Sequence, residues 1–571
     1  MVSARKAIPT IPVSPRNIHQ MVDVNVQPFE IEVRSRHGDM LRADIYLPRG
    51  AAGRVPVLLG ASPYQKALRY LPVVPPVFPF IEYGPMQLYL DHGYAYVVMD
   101  TPGAGRSEGT WDPVSRKEGE AIHDMIEHVA SLDWAGPIGM IGMSHYCWSQ
   151  WNAARTRPPS LKCLGAFDGA TDMYRDWMYQ GGIPIQGFLN SWLFGSVLLQ
   201  HQANGLPMTE NGRDRVIYDM YAHPFDDDWQ RRRSPFWELD QVDIPVLSIG
   251  AWGKAALHLR GNFEGYRLVR GPKQLLVVGA RTFAETQALF GTAEFHQAEL
   301  LPWYDHHLKG VANGVMDRPK VRFLVQGEGI VREATDWPPP DASITELFLC
   351  GDKSGAVNSL NDGSLAESAK ADGGATSWSY PDPHWMAGVT VIGKDGMPDH
   401  FARVITYTTP PFERDREFTG QGVLHLFASS DQSDADVVLK LSLLPEAAGS
   451  PPFMKISQGW LRASHRAEDP ALTTEMRPFH LHQKAEPIEP GQIYELRVEL
   501  LPMSVLVRRG ERLRLEISNW ESAITEAPMT HWYGQKVGTD TYHHNAAHPS
   551  RLRLHERPRR PITGNGQHKG T

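Results

Sequence analysis

The chain has 571 residues, 42% of them hydrophobic, and 57 basic residues against 65 acidic ones give a formal net charge of −8. That length divides into two or three domains with separate cores, and so mild and dispersed a charge argues against nucleic-acid binding. The N-terminus has no apolar run of the secretory kind, no stretch approaches the roughly 20 apolar residues that span a bilayer, and three scattered cysteines (Cys147, Cys163, Cys350) read as reduced packing residues of a cytoplasmic protein.

In chain order, Phe29 to Val33 and Leu41 to Leu47 alternate around the turn His37-Gly38-Asp39 and predict a hairpin. Val55 to Gly60 predicts a buried strand. A Pro-rich loop from Leu71 to Phe80 reads as surface cover. Ala95 to Asp100 is a second buried strand closing on Gly103-x-Gly105-Arg106-Ser107-x-Gly109. That turn lacks the terminal Gly-Lys-Ser/Thr of a phosphate loop and is assigned as a tight turn without nucleotide. Glu118 to Trp134 has helical spacing, so the order is β-α-β, which predicts a parallel sheet binding ligand beyond its carboxyl ends.

Pro137 to Met143 then predicts a strand that runs through Gly142-x-Ser144 into a helix from about His145 to Arg155. A serine on such a turn is strained, exposes its Oγ, and has the next residue's N–H aimed at the same space, as in a nucleophile elbow. The plainer alternative is a serine that caps the helix. From Asp172 to Trp237 the aromatic and aliphatic residues fall at helical spacing and predict a helical cap over the active edge. The sheet resumes at Ile244 to Gly250 and Gln274 to Gly279, with helices near Ala255 to Val269 and Glu294 to Leu308. Beyond about residue 344, short alternating strands between turns predict an all-β sandwich or jelly roll.

With these features, together with Pro63-Tyr64, Trp303-Tyr304-Asp305-His306-His307-Leu308-Lys309-Gly310, Asp336-Trp337-Pro338, Gly459-Trp460-Leu461-Arg462-Ala463-Ser464-His465-Arg466, Gly510-Glu511-Arg512 and Tyr533-Gly534-Gln535-Lys536-Val537-Gly538, the chain resembles the serine hydrolases that include cocaine esterase, α-amino acid ester hydrolases and X-Pro dipeptidyl-peptidases. The resemblance covers roughly residues 28 to 556. It implies an α/β fold class: an N-terminal arm (1–27), an α/β-hydrolase domain (28–168 and 244–343) with an inserted helical cap (169–243), a C-terminal jelly roll (344–556) and a tail (557–571). It also implies Ser144 as nucleophile, with an oxyanion site made by the N–H of His145 and the hydroxyl of Tyr64. Two triad positions depart from the family. The acid position in Gly250-Ala251-Trp252-Gly253-Lys254 is Lys254, and the base position in Gly279-Ala280-Arg281-Thr282-Phe283 is Phe283.

Phenylalanine can neither accept nor return a proton, and serine needs a base within hydrogen-bond reach. Three residues are candidate substitutes: Lys254 with its pKa lowered by burial, His145 beside the nucleophile, and His258, one helical turn past Lys254. The histidines His306, His307, His480, His482, His543 and His544 lack zinc spacing, and no metal or cofactor is expected. The expected partner is a small acyl compound, with no nucleic acid and no membrane. A homo-oligomer is left open. The function expected is hydrolysis of an ester or amide through Ser144 and a non-standard base. The alternatives are a lyase, cyclase or isomerase using the same oxyanion donors, and a silent binding homologue. An unrepaired triad predicts only feeble hydrolysis of activated esters.

Overall fold

The computed structural model describes residues 24–66, 82–193, 197, 215–280, 282–356, 361–370, 373–381, 391–392, 398–399, 404–445, 454–521, 531 and 536–558. The Pro-rich loop expected at 71–80, most of the N-terminal arm, part of the cap and nearly all of the tail lie outside these residues.

The first sheet has ten strands: β1 (Phe29–Arg34), β2 (Met40–Tyr46), β3 (Val55–Ser62), β4 (Ala95–Asp100), β5 (Ala135–Met143), β6 (Leu161–Phe167), β9 (Val246–Ala251), β10 (Lys273–Val278), β11 (Val321–Val325) and β12 (Ile330–Ala334). Their order is β1-β2-β4-β3-β5-β6-β9-β10-β11-β12, and neighbours from β4 to β11 run parallel. Every residue of β4 and of β9 is buried. This explains why these strands read as continuous apolar runs and not as alternating ones: helices cover both faces of the sheet. Helix α1 (Met86–Asp91) leads into β4. Helix α2 (Arg116–Ala130) starts at Ser115, whose hydroxyl accepts from the Glu118 N–H, and α3 (His145–Ala154) follows β5. Because β3 lies between β4 and β5, the connections leave it in opposite directions. The carboxyl ends of β3 and β5 therefore flank the kind of switch point where α/β proteins bind ligand.

Among its described residues, the cap between β6 and β9 combines short helical segments with one small hairpin. It opens with a π-turn at Met173–Met178. A two-stranded hairpin follows, β7 (Tyr179–Gln180) against β8 (Ile183–Pro184), and then come short helices at Gly187–Trp192, Val216–Ala222 and Asp228–Arg231. The hairpin turn requires glycine at Gly181 (φ 60°), where a Cβ would stand 2.1 Å from the Trp460 carbonyl oxygen of the β domain. No side chain fits there.

The second sheet is separate and entirely β, with twelve strands beginning at Ser343–Cys350. Its longest pair, Arg416–Ser430 and Tyr494–Val507, is antiparallel with a register shift between Gly420 and Gly422. The architecture is thus an α/β-hydrolase domain followed by an all-β jelly roll. The two sheets are joined through Gln326, whose N–H donates to the Ser504 carbonyl while its own carbonyl accepts from the Leu506 N–H. Leu506 in turn packs into the hydrolase core with Trp252, Leu259 and Phe263. No helix among the described residues is long and apolar enough to cross a membrane.

Candidate active site

The site is built on a strained turn. Gly142 has φ 133°, and a Cβ there would lie 2.3 Å from the Cβ of Tyr146, so only glycine lets β5 meet α3 so closely. Ser144 follows at φ 60°, ψ −118°, a region that non-glycine residues rarely occupy, and its side chain makes no capping hydrogen bond. The helix-cap reading therefore fails, and the elbow geometry is present. The Ser144 N–H is itself held by the carbonyls of Phe167 and Asp168, at 3.2 and 3.1 Å.

Of the three candidate bases, His258 reaches the nucleophile: its Nε2 lies 3.1 Å from Ser144 Oγ. His258 sits in a π-helical turn, Ala255–Leu259, immediately before the α-helix Arg260–Leu268. Such wider turns recur at functional sites. The imidazole is 2% exposed, and its Nδ1 has no hydrogen-bond partner among the described residues. Burial holds its pKa well below the ordinary histidine value, and the charge of Lys254 and the neighbouring His145 push it further down. At neutral pH it is an unprotonated acceptor.

Lys254 is not the base. Its fully buried ammonium is paired with Asp168 Oδ2 at 3.4 Å and lies 4.1 Å from the centroid of the Phe283 ring. Lys254 and Phe283, the two positions at which the resemblance would place an acid and a base, thus meet as a cation against an aromatic face that attracts it. Asp168 leaves β6 at φ 56°, and burial lifts its pKa to about 6 against the pull of Lys254. His145 is not placed as an acid or base either. Its Nε2 lies 3.6 Å from Glu118 Oε1, and its ring stacks on Trp192 with centroids 6.1 Å apart. What it offers the site is its backbone N–H, which as the first residue of α3 has no partner within the helix.

Tyr64 stands where the sequence places it, on the turn after β3, with its N–H bonded to Ser62 Oγ and its hydroxyl beside Ser144. The hydroxyl accepts from the Trp192 indole N–H at 2.9 Å, which ties the cap directly to the turn beside Ser144. Burial pushes the phenol well above its ordinary pKa, so it remains a neutral donor. The Gly-rich turn after β4 has a structural role: the Asp100 carboxylate accepts from the N–H groups of Lys66 and Arg106, and Ser107 donates to the Asp100 carbonyl.

Sequence reasoning missed two groups. One is Asp168. The other is Glu82, a buried carboxyl alongside Ser144 and Gln287. The His pairs lie elsewhere: His480 bonds the carbonyls of Arg466 and Arg497, and His482 faces His465.

Comparison with known proteins agrees with this architecture. The pattern of the X-Pro dipeptidyl-peptidase (S15 family) matches residues 37–281, and that of the X-Pro dipeptidyl-peptidase C-terminal non-catalytic domain matches residues 313–553. Cocaine esterase from Rhodococcus sp. strain MB1 Bresler is 27% identical over 560 residues, spanning 87% of this chain and 92% of that enzyme. A CocE/NonD family hydrolase from Staphylococcus aureus superposes with a TM-score of 0.76 at 25% identity, over 92% of this chain and 93% of its own. An α-amino acid ester hydrolase shares the fold, with a TM-score of 0.69 at 17% identity over 97% of this chain and 100% of its own.

Proposed function

Since the chain belongs to the serine hydrolase family of cocaine esterase, α-amino acid ester hydrolases and X-Pro dipeptidyl-peptidases, we propose that it hydrolyses an ester or amide of a small acyl compound, with Ser144 as nucleophile and His258 as base. The observation that carries this reading is the 3.1 Å contact between Ser144 Oγ and His258 Nε2, a distance at which the hydroxyl can donate its proton as it attacks. The tetrahedral oxyanion would be met by the Tyr64 O–H and the His145 N–H, donors already aimed at the place where charge develops. The base has moved from the position now held by Phe283 to the segment after β9, and among the described residues no carboxylate bonds its Nδ1. Lys254 instead opposes the imidazolium that forms, so the reaction is slower than with a complete triad.

That same opposition favours a second reading, a non-hydrolytic reaction in which the oxyanion donors stabilise an enolate and Ser144 forms no covalent bond. A fluorophosphonate probe followed by peptide mass spectrometry decides between them. Hydrolysis through the dyad predicts labelling at Ser144 that His258→Ala slows by roughly 10² or more. An unlabelled Ser144 in the folded protein contradicts it.

A further inference from the structure

We propose that Glu82 is the general acid of this site, giving its carboxyl proton to the leaving group after Ser144 Oγ adds to the acyl carbon. This rests on the Ser144–His258 reading above and extends it to a residue that matches no triad position. Glu82 is anchored at the elbow: its carbonyl accepts from the Met143 N–H at 2.7 Å, one residue before the nucleophile. Its carboxyl is fully buried beside Ser144 and Gln287, yet neither oxygen has an aligned hydrogen bond among the described residues. An unsatisfied buried carboxyl costs stability, and its position against a nucleophile suits proton transfer.

The charged and titratable groups around Glu82 are Lys254 after β9, Asp168 after β6, Tyr64 after β3 and Tyr146 on α3, with His258 on Ser144 as well. Burial raises the Glu82 pKa to about 8, with Lys254 pulling it down and Asp168 pushing it up. Near neutral pH the movable proton therefore sits on Glu82, while His258 is free to accept one.

The proton count closes over a full turnover. In acylation the Oγ–C bond forms as the Ser144 proton passes to His258 Nε2. The bond from carbon to the leaving oxygen then breaks, and that oxygen takes the Glu82 proton. The products are acyl-serine, an alcohol, an imidazolium and a carboxylate. In deacylation water adds to the acyl carbon and loses a proton to the Glu82 carboxylate. The C–Oγ bond breaks and the imidazolium returns its proton to Ser144. The carboxylate formed in the first half offsets the repulsion between the imidazolium and Lys254.

The test compares the full-length wild type with Glu82→Gln on two acetates. The p-nitrophenolate of p-nitrophenyl acetate leaves without a proton, whereas the alcohol of ethyl acetate needs one. The expected result is a loss of roughly 10² or more in kcat/KM on ethyl acetate and only a few-fold on p-nitrophenyl acetate. In the wild type, ethyl acetate hydrolysis should fall as pH rises through about 8, and Glu82→Gln should lack that limb. Equal losses on both esters, or an alkaline limb that survives the substitution, overturn the proposal. Infrared difference spectroscopy of the wild type provides a readout free of activity and of the variant's folding. A protonated-carboxyl band that titrates near pH 8 is expected, and its absence at pH 6 overturns the role of Glu82. An unlabelled Ser144 with that band present would instead locate the failure in the dyad.

Discussion

Ser144 Oγ lies against an unprotonated imidazole and a buried carboxyl, and the charge that acts most strongly on both is the Lys254 cation. That arrangement makes the effect of Lys254 predictable in sign. A cation disfavours the imidazolium, so Lys254→Met raises the His258 pKa, and the acid limb of kcat/KM, where protonated His258 cannot accept, moves to higher pH. A limb that stays in place contradicts the assignment of His258. Tyr64→Phe removes one oxyanion donor and should lower kcat by about 10² to 10³ with little change in KM. Glu82 also leaves a thermodynamic trace. A carboxyl raised from 4.5 to about 8 on folding makes stability fall as pH rises across that interval, by on the order of 5 kcal/mol. Denaturant titrations at pH 5 and pH 8 should show a larger fall in the wild type than in Glu82→Gln, where Asp168 and the other raised carboxyls still contribute.

At the scale of elements, the segment after β9 and the start of the helix Phe283–Phe290 are coupled through the Lys254 cation over the Phe283 ring. Restoring a standard triad by Lys254→Asp with Phe283→His would set a second carboxylate against buried Asp168. The double variant should lose about 3 to 5 kcal/mol in thermal or denaturant unfolding, and adding Asp168→Asn should recover much of it. In the elbow, Gly142→Ala should cost roughly 3 kcal/mol or more, because its Cβ meets Tyr146 at a φ that L-residues avoid. The elbow, the Pro-Tyr turn and the Asp100 turn were legible in the sequence because their backbones demand particular residues at fixed spacing. His258 was one of three candidates there and could not be ranked first. It meets Ser144 across 114 residues, and a π-turn sets its direction, for which spacing carries no signal. Glu82 and Asp168 were missed for a related reason: a single acidic residue at the end of an apolar run looks like any loop residue until the fold buries it. In the cap, the strands Tyr179–Gln180 and Ile183–Pro184 are too short for alternation to distinguish them from helical spacing.

Across the whole molecule, the jelly roll braces the helix Arg260–Leu268 that directly follows the His258 turn. Arg260 pairs with Asp176 of the cap and approaches Glu499 of the β domain, while Glu264 of the same helix pairs with Arg477. Burial would raise the Glu264 pKa, but Arg477, Arg260 and Arg267 overcome it and hold it at about 2. A depressed carboxyl stabilises the fold above the unfolded value of 4.5 and loses that contribution as pH falls to about 2, here on the order of 3 kcal/mol. The stability difference between wild type and Glu264→Gln should therefore shrink from pH 5 to pH 2 in denaturant titrations. The hydrolase sheet and β domain thus surround the proton-transfer apparatus proposed above. The most direct measurement of that apparatus is kcat/KM for p-nitrophenyl acetate at neutral pH in the full-length wild type, Ser144→Ala, His258→Ala and Phe283→Ala. The predicted result is a wild-type rate that Ser144→Ala and His258→Ala each lower by at least about 10² and Phe283→Ala lowers far less. A rate unchanged by His258→Ala would contradict the account.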